Sequence, residues 1–259
     1  MLHFTRVLSI NSKGDYAMDF SKTDQYQQQI AAARPFEEPL LSELRKFYRV
    51  GLTWSSNAIE GNTLTESETK ILLEDGLTTG GKPLRDTYEA VGHARAYDYM
   101  FTLLHADTVT EENIQYLHRL FYQDIDAAHA GAYRTIPVFI SGSNFPVSAP
   151  DSIPAAMREL IHWAGTERKH LHPIQQAALL HQKFVFIHPF IDGNGRVGRL
   201  LMNILLIQNG WLPVIIPPIR RADYIHLLEK AHTDPEPFIE FIGEMELESQ
   251  KDMIRLLHL

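Results

Sequence analysis

The sequence contains no cysteine, which removes both a disulfide framework and thiolate chemistry and fits a reducing compartment. Long apolar runs are also missing: none approaches the roughly 20 residues that a membrane-spanning helix needs. The first twenty residues, MLHFTRVLSINSKGDYAMDF, lack the apolar core of a signal peptide. Basic charge is in short supply, with 24 Lys+Arg against 32 Asp+Glu, a net charge of −8 and a pI near 5.9. A general nucleic-acid binder would carry the opposite balance. Internal repeats and low-complexity segments are absent. These absences lead to the expectation of a soluble, cytoplasmic chain with neither nucleic acid nor membrane among its partners. What remains, 259 residues of which 44% are hydrophobic, suits one larger domain, or a domain with an N-terminal extension.

The chain is organised around His188-Pro189-Phe190-Ile191-Asp192-Gly193-Asn194-Gly195-Arg196-Val197-Gly198-Arg199. Gly193-Asn194-Gly195 offers consecutive backbone N–H groups able to curl into an anion-binding nest. The pattern predicts a helix from Arg196 to Gln208, so the nest sits at the positive end of a helix dipole. Arg196 and Arg199, three apart, share one face of the first turn and can both address a polyphosphate. Asp192 offers a hard oxygen ligand of the kind that holds Mg²⁺ on a nucleotide. His188, ending the preceding apolar segment, is the natural general base for an incoming hydroxyl. The stretch reads as a place that holds a nucleotide and deprotonates whatever attacks it.

The surrounding pattern is helical. Helicity begins near Gln25; Pro39 opens a stronger helix whose apolar positions Leu40, Leu41, Leu44, Phe47, Tyr48, Leu52 and Ile59 follow a 3.6 period, and Gly61-Asn62 stops it. Thr65-x-x-Glu68 is a capping box. Further helices are predicted over Asp86–His105, from Thr110, over Asp151–Gly165, from Pro173, over Arg221–Ala231 and from Pro235. Gly131–Pro150 differs: Tyr133, Ile136, Val138, Phe139 and Ile140 among Gly142, Ser143, Asn144 and Pro146 read as a short β-hairpin. The first 23 residues read as an arm or a short strand pair. Two motifs are decoys. Gly76 to Pro83 imitates a P-loop, but Pro83 supplies no hydroxyl for a metal. Gly193-x-Gly195-x-x-Gly198 imitates a dinucleotide fingerprint, but no acidic residue follows about 20 positions on. His181 shares a helical face with His188; without a third ligand at recognisable spacing it reads as a packed core histidine rather than a zinc ligand.

The stretch 188–199 resembles the motif of the Fic family, H-x-F-x-[D/E]-G-N-G-R-x-x-R, at every specified position. Eight specified residues at about 5% usage each make a chance match roughly one in 10¹⁰. The resemblance implies an all-α helical bundle and a protein adenylyltransferase that moves AMP from ATP, with Mg²⁺, to a Ser, Thr or Tyr hydroxyl of a protein target. It implies His188 as catalytic base, Asp192 on the metal, and Gly193, Asn194, Gly195, Arg196 and Arg199 on the phosphates. Ser56-x-x-x-Glu60-Gly61 resembles the family's inhibitory motif, in which Glu60 would reach Arg199 and obstruct the γ-phosphate. The hairpin would be the family's flap, with Val138, Phe139, Ile140 and Ser141 nearest the nucleotide and its edge receiving the target segment. Counting from the motif, Tyr224 stands at the position of an adenosine-holding aromatic. His232 stands where an asparagine is usual, a departure from the pattern. The implied division is a helical region over 1–105 with the inhibitory helix at about 39–61, a core over 106–245, and a helix end over 246–259. Self-modification and a homodimer are admitted. Two alternatives stay open: removal of AMP from a modified protein at the same site, and an interaction module with a vestigial nucleotide site.

Overall fold

The computed structural model describes residues 9–10, 16–106 and 108–259. Its helices are α1 (Ser21–Ala32), α2 (Glu38–Ile59), α3 (Glu66–Asp75), α4 (Leu84–Thr102), α5 (Glu111–Tyr122), α6 (Ile153–Gly165), α7 (Pro173–Ile187), α8 (Asn194–Gln208), α9 (Arg221–Lys230) and α10 (Glu236–Leu257). Short 3-10 turns at Pro150–Ser152, Glu167–His170 and Pro218–Arg220 join some of them. The expected all-α architecture is observed. At the N-terminus β1 (Ser9–Ile10) and β2 (Tyr16–Ala17) pair antiparallel, Ser9 opposite Ala17. The rest of the expected arm, 1–8 and 11–15, lies outside the described residues.

Local chemistry sets the helix ends. Thr65 with Glu68, and Thr110 with Asn113, form reciprocal capping boxes that satisfy free N–H groups at the starts of α3 and α5. Pro39 and Pro173 stand in the first turns of α2 and α7, where a missing N–H costs nothing. Helix α2 ends in a Schellman motif: Asn62 N–H donates to Asn57 O at 3.1 Å and Gly61 N–H to Ala58 O at 3.0 Å. That motif needs a left-handed residue, and Gly61 supplies it at φ 98°. Glu60 therefore becomes the cap residue, projecting from a fixed turn.

Helix α8 is the central element. Val197, Leu200, Leu201, Met202, Ile204, Leu205 and Leu206 are each at most 2% exposed, so its apolar surface runs all the way round, as befits a helix enclosed by others. It packs chiefly on α7, and also on α2, α4 and α5, while α10 and α1 continue the stack beyond α7. Helix α2 turns Leu44, Tyr48, Leu52 and Ile59 inward. Leu40 and Phe47, expected on the same stripe, are 37% and 45% exposed. No helix among the described residues is long and apolar enough to cross a membrane.

The segment between α5 and α6 departs from expectation. It is not a β-hairpin: residues 131–149 form no strand and are held by side chains instead of a ladder. The buried Arg134 guanidinium donates to the carbonyls of Ile136, Ser148 and His188, and Glu229 on α9 accepts from Ser143 Oγ and Asn144 N–H. At its tip Ser143 N–H donates to Ile140 O at 3.1 Å, and Phe145 N–H donates to Ser143 Oγ at 3.2 Å. Pro137 and Pro146 remove donors that a ladder would use, and Arg134 takes up carbonyls at both roots of the loop.

Candidate active site

The site forms where α7 hands over to α8. His188 caps α7 in a left-handed conformation, φ 52° and ψ 60°, sparsely populated for a residue other than glycine. Several groups hold it there: Arg134 Nε donates to its carbonyl at 2.8 Å, and Arg134 N–H donates to Pro189 O at 2.9 Å. Its Nδ1 lies 3.3 Å from Val185 O. With the proton on Nδ1 in that contact, Nε2 keeps a free lone pair. Burial, aided by Arg134, pushes the imidazole below its ordinary pKa, so His188 is neutral at pH 7, as a general base must be.

The turn that follows is clamped from two sides. Asn194, 1% exposed, accepts from Phe190 N–H and donates to Phe190 O, both at 2.9 Å. On the other side, His118 of α5 stacks on Phe190 with ring centroids 3.8 Å apart. Its Nδ1 accepts from Gly131 N–H at 2.8 Å, which leaves Nε2–H to donate to Asp192 O at 3.0 Å. Burial pushes His118 down to about 4, so it stays neutral in this role. Gly193 stands at φ 78°, and a Cβ there would fall 2.8 Å from the Phe121 ring.

The two motif arginines diverge. Arg199, 3% exposed, turns toward α2: Nε donates to Ser56 Oγ at 2.9 Å, and Nη2 to Ser56 O at 2.8 Å and Glu60 Oε1 at 2.7 Å. Below it, Nη1 donates to the Tyr224 hydroxyl at 3.1 Å, which meets His181 Nε2 at 2.8 Å. His181, fully buried, is pushed down to about 3 by burial and the nearby Arg199 and so is neutral. Arg196 turns toward α4 instead, stacking over the Phe121 ring at 4.3 Å and reaching Glu89 Oε1 at 3.0 Å and Asp192 Oδ1 at 3.1 Å.

The carboxylates occupy telling positions. Glu60 Oε1 would lie 2.5 Å from a Cβ built on Gly195, so it fills the space over the first turn of α8 where an anion is favoured. Burial alone would raise its pKa, but Arg199 and Arg196 outweigh it and hold Glu60 ionised below the usual range. Asp192 is likewise lowered: burial opposes, while Arg196, the Gly193 N–H and Arg85 prevail. A guanidinium, Arg85 Nη2, stands 2.7 Å from its outer oxygen Oδ2. The site thus already holds an anion over the glycine turn and a cation on Asp192, which is the charge pattern of a metal-bound polyphosphate. Among the described residues no group of three or more His, Asp or Glu side chains gathers around a metal position; Asp192 suits an ion whose other ligands come from phosphate and water.

Ser56, Glu60, Arg199 and Tyr224 thus come together, and Asp192 joins Arg196. Tyr224 is 1% exposed, beneath Arg199. His232 lies in a separate stack between Phe186 and Phe145, at centroid distances of 3.5 and 4.1 Å. Phe139 is 96% exposed and Ile140 37%; with Val138 and Ser141 they take no part in the hydrogen bonds around the glycine turn. Arg85, Glu89, His118 and Arg134 were not expected at the site. Arg85 and Glu89 did carry one signal, an opposite-charge pair at i,i+4, but that pattern usually marks a solvated face.

A buried helix opened by a glycine turn, with a neutral histidine before it and two arginines within it, has the geometry of an anion-accepting helix N-terminus. Residues 108–206 match the Fic/DOC family, so this stretch is a Fic domain. The chain is 39% identical over 194 residues to protein adenylyltransferase Fic of Drosophila grimshawi, covering 74% of this chain and 40% of that protein. The chain therefore spans less than half the length of this curated relative. Its fold is similar to Fic-1, residues 134–508, from C. elegans, with a TM-score of 0.84, 29% identity, and coverage of 92% and 72%. It is also similar to a Fic domain containing signaling protein from Bacteroides thetaiotaomicron, with a TM-score of 0.81, 28% identity, and coverage of 89% and 95%.

Proposed function

We propose that this chain is a protein adenylyltransferase, moving AMP from ATP to a Ser, Thr or Tyr hydroxyl of a protein target, and that Glu60 restrains it. The observation that carries the reading is the Glu60 carboxylate lodged over Gly195 and bonded to Arg199 at 2.7 Å, beside a neutral His188. ATP phosphates would take the space of that carboxylate, against the backbone of Gly193–Gly195 and within reach of Arg199. A Mg²⁺ ion held by Asp192 would neutralise charge on the polyphosphate. His188 Nε2 removes the acceptor's proton; the acceptor oxygen forms a bond to the α-phosphorus as the bond to pyrophosphate breaks, and pyrophosphate leaves. Positioning and charge stabilisation account for most of the rate.

In this reading residues 106–245 form the catalytic core and 1–105 the helical region bearing the restraint. Phe139 and Ile140 of the loop before α6 face the protein target, and the chain works in the cytoplasm. The test is incubation with labelled ATP and cell lysate, with mass spectrometry for an added adenylyl group. His188→Ala is expected to lower transfer by about 10²–10⁴-fold while ATP binding persists, because the base acts on the acceptor. Labelling by the mutant at the wild-type level would remove His188 from the mechanism.

A further inference from the structure

Four charged side chains beside the glycine turn close into a ring. Arg85 of α4 reaches Glu89 Oε1 at 3.1 Å with Nε and Asp192 Oδ2 at 2.7 Å with Nη2. Arg196 of α8 reaches the same Glu89 oxygen at 3.0 Å with Nη1 and Asp192 Oδ1 at 3.1 Å with Nη2. Each guanidinium touches both carboxylates, and the formal charges cancel. The members are not held equally. Arg196 is 3% exposed and stacked on Phe121, and Glu89, 8% exposed, also accepts from Asn62 Nδ2 at 3.0 Å. Arg85 is 55% exposed and lies on the solvent side. Arg196 and Glu89 are the fixed half of the ring; Arg85 is the member that can leave.

A divalent cation cannot simply join such a ring. Asp192 Oδ1 is taken by the Gly193 N–H at 2.6 Å and by Arg196, so Oδ2 is the oxygen open to a metal, and Arg85 covers it. Two further positive charges beside two guanidiniums would add repulsion at short range in a partly desolvated pocket, whereas withdrawal of Arg85 frees the oxygen and removes one of those charges. We infer that Arg85 is a displaceable counter-cation guarding Asp192, pairing with it when no Mg²⁺–nucleotide is bound and swinging out to admit the metal. This rests on the reading of Asp192 as the metal carboxylate and adds a cationic lock to the anionic one. Glu60 stands where a phosphate would go, and Arg85 stands where the metal would go. Arg85 and Glu89 lie outside residues 108–206, the part that matches the family, so this lock comes from the helix that packs against α2.

The experiment titrates Mg²⁺ into the full chain at a fixed concentration of an ATP analogue with a non-cleavable α–β bridge, reading bound nucleotide by calorimetry. All variants carry Glu60→Gly, so that the other lock does not limit binding. Arg85→Ala is expected to reach half-saturation at a Mg²⁺ concentration about two- to fivefold lower, the range set by a partly exposed ion pair. Arg85→Lys keeps the charge but cannot span both carboxylates with one planar fork, and should fall between. An unchanged requirement in Arg85→Ala overturns the inference. A higher requirement also overturns it, because Arg85 would then be helping to hold the nucleotide. Asp192→Ala separates the two levels of the reading. If it abolishes the Mg²⁺ dependence while Arg85→Ala matches the parent, only the guard role falls. If the parent binds the analogue without regard to Mg²⁺, the metal role of Asp192 falls with it.

Discussion

Glu60 is held by its backbone more firmly than by its side chain. The Schellman turn at Gly61 fixes where the carboxylate starts, and Arg199, itself anchored by two bonds to Ser56, fixes where it ends. The motif Ser56-x-x-x-Glu60-Gly61 is thus one geometric unit: a serine one turn back receives the arginine, a glycine turns the chain, and the glutamate caps. Releasing the carboxylate requires only a rotation of its side chain, since 35% of that side chain already faces solvent. Glu60→Gly should therefore raise adenylyl transfer, self-modification included. Solvent screening trims the pair to on the order of 1–2 kcal/mol, so the gain expected is about tenfold. Arg199→Ala should not imitate it, because that change also removes the partner of the incoming phosphate. Labelled-ATP transfer by wild type and variants side by side decides; labelling by Glu60→Gly no greater than wild type would reduce Glu60 to a helix cap.

Helix boundaries were legible where the signal is local. The Thr65 and Thr110 boxes, Pro39, Pro173 and the stop at Gly61 each act within four residues, and each stands where the sequence predicts. The contact of Glu60 with Arg199 was legible for a different reason, through a motif rather than spacing. What could not be read is whatever depends on two elements meeting. Arg85 and Glu89 look like any solvated i,i+4 pair until α4 lies against α8. Likewise His118 and Phe121 look like core until their rings lie against Phe190 and Arg196. The loop of 131–149 failed as a hairpin because Arg134 satisfies its carbonyls from within. The close approach of α4 to α5 makes one such meeting testable. A Cβ on Gly92 would collide with the Phe121 carbonyl oxygen and come within 3.1 Å of its Cα, and backbone gives way poorly. Overpacking of this kind costs about 1–3 kcal/mol, against roughly 1 kcal/mol gained in helix propensity. Because every atom in the way is backbone, the cost falls in the upper part of that range, about 2–3 kcal/mol, and Gly92→Ala should lose about 1–2 kcal/mol of stability overall. The measurement is the urea midpoint at unchanged slope; a midpoint equal to or above wild type would mean that α4 and α5 can separate freely.

Across the whole molecule the far end of the bundle carries a second buried charge problem. Glu246 on α10 is 0% exposed; Oε1 accepts from Leu212 N–H at 3.1 Å, in the turn that follows α8. Gln250 and Tyr48 are buried with it, and the Arg34 guanidinium, at the end of α1, is committed to Gly210 O at 2.7 Å. With no direct ion pair, burial pushes the Glu246 carboxyl up to about 8, Leu212 N–H and Arg34 offsetting only part of the cost. Folded protein thus keeps a proton that the unfolded chain has already released near pH 4.5. The stabilisation linked to that proton is complete below the unfolded value and is lost as pH rises from there to about 8. Glu246→Gln mimics the protonated form, since its amide oxygen can still accept from Leu212. It should be close to neutral at pH 5 and stabilising by on the order of 2–4 kcal/mol at pH 8. Asp192 and Glu60, whose pKa values are lowered, tilt stability with pH the other way, but they do so equally in both proteins. The difference between the two urea-derived stability curves therefore isolates Glu246. Curves that stay parallel from pH 5 to pH 8 would show that Glu246 is ionised in the fold and that Arg34 neutralises it across the α1–α10 interface.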